Sequence, residues 1–270
     1  MAVIDPLVVI VAYQNTPALA AALEALDGYR AVLVVDNGVD DQVRELVNGW
    51  GAEYTTLGRN AGFAAAVNAA LTRRRGRDVL LLNPDARISP AAIAELVKAL
   101  HEDPDTCAIA PRLEGEDGNP QRVVWPIPSP KEQWVDAASL RRFFPPRSSF
   151  IIGAVLLLRG KAIDDVGGFD ERFFLYGEEC DWQLRAIRRG WRIRLADHVT
   201  ARHDGGGSSA VERVRIRQSL ASARLFGLKW YGTAGWASMR TASMVGAAAR
   251  LLVTFPVAER RARYVRQLWP

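Results

Sequence analysis

Through residues 7–110, short apolar runs alternate with segments of helical periodicity, a rhythm that predicts doubly buried strands connected by helices. LVVIVA at Leu7–Ala12, AVLVV at 31–35 and DVLLL at 78–82 read as buried strands, with shorter ones at 53–57 and 107–110. Residues 18–26, 41–50, 62–73 and 90–101 read as the intervening helices. Thr16-Pro17 offers a cap with proline at the first helical position, and Ser89-Pro90 repeats the device. Such alternation implies an α/β fold with a mostly parallel, doubly wound sheet, where ligands gather outside the carboxyl ends of the strands. Tyr13, Asp36 and Asp85 each fall at or just past such an end.

The pattern changes after residue 112. Residues 115–130 and 141–149 are rich in turn formers and prolines, with a short helix expected over 130–144. A strand over 151–158, a helix over 181–189 and a strand over 192–195 follow. Residues 203–209 (HDGGGSS) read as a flexible loop, after which the chain is helical and basic.

Two acidic signatures carry most of the chemistry. LLLNPD at 80–85 reads as a buried strand ending in a carboxylate. Asp85 there suits a divalent ion on a diphosphate, since hard cations take carboxylate oxygen and let phosphates and water complete the shell. The same triplet also makes an ordinary turn. GGFDERFFLYGEECDWQLR at 167–185 gathers Glu178, Glu179 and Asp181 at a helix start. First-turn acids complement a helix dipole, but three exceed that need, and one of them could deprotonate an acceptor hydroxyl.

Other candidates are weaker singly. Asp36 could accept hydrogen bonds from a base or ribose; Asp-Asn-Gly is also a hairpin signal, which the flanking helical patterns disfavour. Arg59-Asn60-Ala61-Gly62 leads from a strand into an alanine-rich helix, where glycine would permit close approach of a nucleotide. A plain loop-to-helix junction would look the same. His203, beside a glycine run, could meet a metal or a phosphate; His198 reads as structural.

The segments VVIVAYQN, VLVVDNG, GRNAGFAAAVNAAL, LLLNPDARI, GGFDERFFLYGEECDWQLRAIRRGW and ARHDGGGSS occur in the order found in family 2 glycosyltransferases. Over residues 7–209 the chain resembles that family, and within it the rhamnosyltransferase-like and galactofuranosyltransferase-like group. The resemblance implies a GT-A nucleotide-diphospho-sugar transferase fold. The catalytic domain would span 1–209, with a nucleotide-binding half over 1–112 and an acceptor half over 113–209, before a helical segment over 210–270. It implies inverting transfer with Mg2+ or Mn2+. By this analogy Ala12, Tyr13, Asp36, Arg59, Asn60, Gly62, Asn68, Asn83, Pro84 and Asp85 surround the donor, and Asp85 with His203 holds the metal. The base is Glu179, one methylene longer than the family's usual aspartate, with Asp181 as the alternative. The favoured donor is dTDP-rhamnose, and the acceptor a glycan, a lipid-linked glycan or a small natural product.

Charge adds one further expectation. The net charge of +5 conceals a C-terminal stretch, 211–270, with eleven basic residues against Glu212 and Glu259, a balance of +9 that leaves −4 on the rest. Trp230, Tyr231, Trp236 and Trp269 interleave with the arginines, so this stretch is expected either to touch a membrane surface peripherally or to cover the catalytic domain. Lys229, Arg240 and Arg250 interrupt its apolar runs, which excludes a transmembrane span. The N-terminus lacks the basic region of a signal peptide, and the expected location is cytoplasmic. Cys107 and Cys180 have no metal-ligand spacing. Nucleotidyl transfer would call for a glycine-rich basic loop after the first strand, where VAYQNTPA stands instead. A binding subunit with a decayed site is the non-enzymatic alternative, and no specific nucleic-acid partner is expected.

Overall fold

In the computed structural model, which describes residues 5–205 and 212–253, the apolar runs form the centre of a nine-stranded sheet. Strands β1 (Leu7–Ala12), β2 (Val32–Asp36), β3 (Glu53–Thr56) and β4 (Val79–Leu82) are parallel and lie in the order β3-β2-β1-β4. Every residue of β1, β2 and β4 is buried, as strands of Val, Ile and Leu must be when helices cover both faces of a sheet. Helices α1 (Thr16–Ala25), α2 (Asp41–Trp50) and α3 (Phe63–Leu71) make the crossovers.

Past β4 come β5 (Ala86–Arg87), α4 (Pro90–His101), β6 (Thr106–Glu114), β7 (Pro120–Gln121), β8 (Val124–Pro126), α5 (Pro130–Ala137) and β9 (Ser149–Ile151). They are followed by β10 (Val155–Leu158), α6 (Gly160–Val166), α7 (Glu178–Ile187) and β11 (Arg192–His203). The sheet continues as β4-β10-β6-β11-β5. Strand β10 runs antiparallel to both β4 and β6, so the sheet is mostly rather than wholly parallel. Strand β11 is parallel to β6 and antiparallel to β5.

The chain resolves into two compact units, Met1–Trp125 with Phe150–Ala210, and Pro126–Ser149 with Val211–Pro270. The first holds the sheet. Residues 126–149 cluster with the C-terminal segment, so the sheet-bearing unit is interrupted. In the second unit α5 packs against α8 (Glu212–Val253). Helix α8 is broken at Gly232, whose φ of 66° and ψ of −170° no helix accommodates. Tyr231 donates its hydroxyl hydrogen to Pro128 O at 3.0 Å, and Trp134 Nε1 donates to Ser238 Oγ at 3.1 Å. Among the described residues no helix is long and apolar enough to cross a membrane. Residues 206–209 of the expected loop, and Arg260, Arg261, Arg263, Arg266 and Trp269 of the basic stretch, lie outside the described residues.

Local chemistry moves several boundaries. Helix α1 is capped by Asn15, whose Oδ1 accepts from Ala18 N at 3.3 Å, and Thr16 is already helical. The expected strand 151–158 is divided at 152–154, between β9 and β10. Substituting Asn15→Ala is therefore expected to cost about 0.5–2 kcal/mol, and Thr16→Ala much less. Urea unfolding of the two variants checks this; a larger loss for Thr16→Ala would return the cap to that residue.

Candidate functional site at the carboxyl edge of the sheet

Because β2, β1 and β4 are parallel neighbours, their carboxyl ends stand side by side, about 4.8 Å apart from strand to strand. Ala12 ends β1 in register with Asp36 at the end of β2, and Asn37 N donates to Ala12 O at 2.8 Å. Half-buried Tyr13 follows, its ring edge beside Gly38. Asn83, Pro84 and Asp85 follow β4.

Asp36 is 1% exposed, and its Oδ2 accepts from Asp40 N (2.9 Å) and the Tyr54 hydroxyl (2.8 Å). Burial and this carboxylate raise the Tyr54 phenol above its ordinary range. Asp36 thus shapes the floor of the edge rather than standing open at it. The next residue, Asn37, was not singled out from the sequence. Its Oδ1 accepts from Ala61 N (3.0 Å) and its Nδ2 donates to Asn60 Oδ1 (3.2 Å), which also accepts from Gly62 N (3.1 Å). These bonds hold the 59–62 loop against the end of β2.

Two expectations about that loop need correcting. Gly62, at φ 92°, makes room for Phe174: a Cβ there would meet Phe174 O at 2.6 Å. Phe63 N donates to the same oxygen at 2.8 Å. Asn68 was expected to face the donor, yet its amide clamps Phe169, with Nδ2 donating to Phe169 O (2.9 Å) and Oδ1 accepting from Phe169 N (2.8 Å). Its Nδ2 also donates to Glu171 Oε1 at 2.8 Å. Arg59 lines a groove of about 760 Å³ along α3, beside Asn68, Glu171 and Phe174, which neither Asp36 nor Asp85 lines. Both corrections tie α3 to the stretch preceding α7.

The antiparallel pairing of β5 with β11 sets His203 opposite Ala86 and so brings it to Asp85. His203 Nε2 lies 3.5 Å from Asp85 Oδ1, and both side chains are largely buried. The tautomer follows from Gln121. Its Nε2 donates to the His203 carbonyl at 2.6 Å, because a carbonyl can only accept. Gln121 Oε1 therefore faces His203 Nδ1 at 2.9 Å and takes its proton. In the neutral ring that leaves the Nε2 lone pair directed at Asp85, the arrangement in which imidazole binds a cation. Asp204 pairs with Arg87, with Oδ2 2.7 Å from Nη2, and its N–H donates to Asp85 O at 3.0 Å. Among the described residues no three His, Cys, Asp or Glu side chains cluster as a complete metal cage. The pair offers one oxygen and one nitrogen donor, fewer than a divalent ion requires from protein alone.

Helix α7 delivers the second acidic signature, and seven of its ten residues are buried. Trp182 stacks on Phe169 and donates to Gly167 O at 2.8 Å. Gln183 binds both backbone groups of Ile151, accepting at 2.8 Å and donating at 2.7 Å. Asp181, the expected alternative base, is fully buried, and Arg185 Nε donates to it at 3.0 Å. The same arginine donates to Val166 O and Gly168 O. Asp181 is therefore an internal strut without access to an acceptor, a correction to its expected role.

Glu179 stands at the open N-terminal turn, next to Gly153, and its Oε2 accepts from Gly177 N at 3.2 Å. Burial raises its carboxyl, opposed by backbone N–H groups that include those of Gly177, Cys180 and Gly153. Glu178 is 4% exposed and its Oε2 has no hydrogen-bond partner. Burial, then the charge of Glu179, hold its carboxyl well above the ordinary range. The neighbours thus differ: burial raises both carboxyls, Glu178 well above the ordinary range, while backbone donors oppose the rise at Glu179. Both cysteine thiols are raised by burial, Cys107 to about 12, and neither is a nucleophile.

Because burial holds the native Glu178 carboxyl well above its unfolded value, stability falls as pH rises above the ordinary glutamate value of about 4.3. Glu178→Gln removes that term. It is expected to raise the melting temperature by a few degrees near pH 7.5, the gain shrinking towards pH 4. Scanning calorimetry across that range decides it, and an equal effect at both ends would mean Glu178 is ionised in the native protein.

Comparison with known proteins is consistent with this geometry. The glycosyl transferase family 2 model matches residues 7–167, and the glycosyl transferase family group 2 model matches 132–258. The N-acetylglucosaminyl-diphospho-decaprenol L-rhamnosyltransferase of Mycobacterium tuberculosis is 29% identical over 220 residues, covering 68% of this chain and 71% of that protein. The galactofuranosyltransferase GlfT1 of Mycolicibacterium smegmatis is 29% identical over 201 residues, covering 67% and 65%. Among solved structures, a mannosyltransferase of Pyrobaculum calidifontis in complex with GDP-Man and Mn2+ superposes with a TM-score of 0.57 at 16% identity, over 98% of this chain and 86% of that one. That likeness establishes the GT-A fold. The family match sets aside the nucleotidyl-transfer and non-enzymatic alternatives: the chain is a glycosyltransferase and belongs to glycosyl transferase family 2.

Proposed function

We propose that this glycosyltransferase moves L-rhamnose from dTDP-rhamnose, with inversion at the anomeric carbon, to a hydroxyl of a glycan or lipid-linked acceptor. The observation that carries the reading is the Asp85–His203 pair, in which a buried carboxylate oxygen and an imidazole lone pair face each other at 3.5 Å. The rhamnosyl donor is favoured by the similarity over 220 residues to an L-rhamnosyltransferase whose name specifies a lipid-linked acceptor. A small natural-product acceptor uses the same chemistry. The basic stretch 211–270 is proposed to touch the membrane peripherally.

Asp85 Oδ1 and His203 Nε2 are the proposed metal donors, and Gln121 fixes the ring so that Nε2 stays unprotonated. A bound Mg2+ or Mn2+ supplies charge neutralisation at the departing diphosphate. Tyr13 lies against the nucleoside, and Asp36 orders the floor beneath it through Tyr54 and Asp40. Glu179 takes the proton of the acceptor hydroxyl. As that oxygen bonds to the anomeric carbon, the carbon–oxygen bond to the diphosphate breaks on the opposite face, and a single displacement inverts the centre. Burial of Glu178, which raises its carboxyl well above the ordinary range, disfavours a second negative charge beside the base.

Two outcomes follow. Glu179→Gln is expected to lower kcat by about 10²–10⁴-fold with little change in donor affinity. The acid limb of the wild-type kcat profile should lie above the ordinary carboxylate range, because burial raises the Glu179 carboxyl. Rate profiles and donor titration of both proteins test this, and a Glu179→Gln enzyme at near wild-type rate would remove Glu179 from the role of base. Asp85→Asn should abolish the thermal stabilisation that dTDP-rhamnose with Mn2+ gives the wild type. Equal stabilisation of both proteins would take the metal away from Asp85.

A further inference from the structure

Within the unit built from α5 and α8, apolar side chains stand in solvent where α5 ends. Leu140 is 39% exposed, Phe143 63% and Phe144 48%. The loop that carries them is ordered. Leu140 N donates to Val135 O at 2.9 Å, and Leu140 O accepts from Phe143 N (2.9 Å) and Phe144 N (3.1 Å), closing one helical turn with both rings outside it. Helix α8 passes the base of this turn. A Cβ at Gly246 would lie 2.9 Å from Ala137 Cα, so α8 packs closely on the end of α5 from which the turn departs.

Charge frames the patch. Arg141 folds back onto α5, pairing with Glu132 and Asp136 and donating to Glu132 O at 3.0 Å, so the acids of α5 are neutralised locally. Arg142 and Arg147 remain, with no carboxylate between residues 137 and 149. Both are exposed, and among the described residues neither has an acidic partner. The Arg142 guanidinium lies over the Phe143 ring at 4.8 Å, which sets the cation at the root of the apolar tip.

An apolar tip ringed by uncompensated cations is the composition that enters the headgroup region of an anionic bilayer: rings below the phosphates, guanidinium groups among them. A second copy of this loop would bring no acids to meet Arg142 and Arg147, whereas an anionic headgroup layer supplies the opposite charge. We propose that the 140–147 loop is a membrane-docking wedge, its occupant the surface of an anionic lipid bilayer. The inference goes beyond the catalytic reading, is independent of the 211–270 stretch, and concerns binding alone.

The test is co-sedimentation of the full chain with vesicles of phosphatidylcholine, with and without an equal part of phosphatidylglycerol. The wild type should bind the anionic vesicles and release them when salt is raised. The double variant F143A/F144A should lose about tenfold in partitioning, and R142E/R147E about as much or more together with its preference for phosphatidylglycerol. Donor hydrolysis unchanged in both variants shows that they are folded, since these residues lie outside the proposed site. Wild-type binding that neither pair alters, or no binding by a wild type that still cleaves donor, overturns the wedge and leaves the catalytic proposal standing. A phenylalanine variant that instead turns a dimer into a monomer in size-exclusion chromatography overturns it in favour of a second copy as occupant.

Discussion

One antiparallel strand among parallel ones holds the candidate site together. By running against both β4 and β6, β10 turns its leading end, residues 152–154, towards the carboxyl edge of the sheet. Asn83 N donates to Ala154 O at 2.8 Å there, and Gly153 lies against Glu179. The backbone that meets the Asn83-Pro84-Asp85 turn therefore also meets the first turn of α7. A parallel strand in that place would present its carboxyl end to the edge and carry residues 152–154 to the opposite side of the sheet. Gln183 reinforces the arrangement by binding Ile151 from the buried face of α7.

The electrostatics of the edge depend on unequal treatment of similar groups. Glu178 and Glu179 are adjacent in sequence, yet one carboxyl has an oxygen with no partner and the other is met by backbone donors at a helix start. Burying two anions side by side is costly, and keeping one neutral avoids that cost. The same logic governs His203. Gln121 is oriented by a carbonyl that can only accept, and that orientation decides which imidazole nitrogen keeps its lone pair.

Several polar side chains that look like ligands in the sequence are fasteners. Asn37 and Asn60 hold the 59–62 loop, Asn68 clamps Phe169, and Asp181 anchors Arg185, which also donates to the carbonyls of Val166 and Gly168. An amide with two used ends, or a carboxylate with a buried guanidinium, presents little to a substrate. Sequence position alone does not separate the two uses, because an asparagine after a strand serves equally well to bind a ligand or to bind a loop.

The sequence by itself determined the parallel half of the sheet and its helices, since strands buried on both faces require unbroken apolar runs and helices require their caps and periodicity. Asp36 and Asp85 at strand ends, the acids opening α7 and the capping of α4 by Ser89 were legible for the same reason. Which carboxylate meets backbone donors, which has a buried oxygen without a partner and which is a strut was decided only in three dimensions. So were the reason for Gly62, the meeting of His203 with Asp85, and the grouping of residues 126–149 with α8. Local pattern fixes what a segment can become, because backbone and side-chain preferences act within a few residues. Burial, protonation and pairing depend on groups brought together from more than a hundred residues away, as Asn68 and Phe169 are, and those contacts exist only once the sheet has formed.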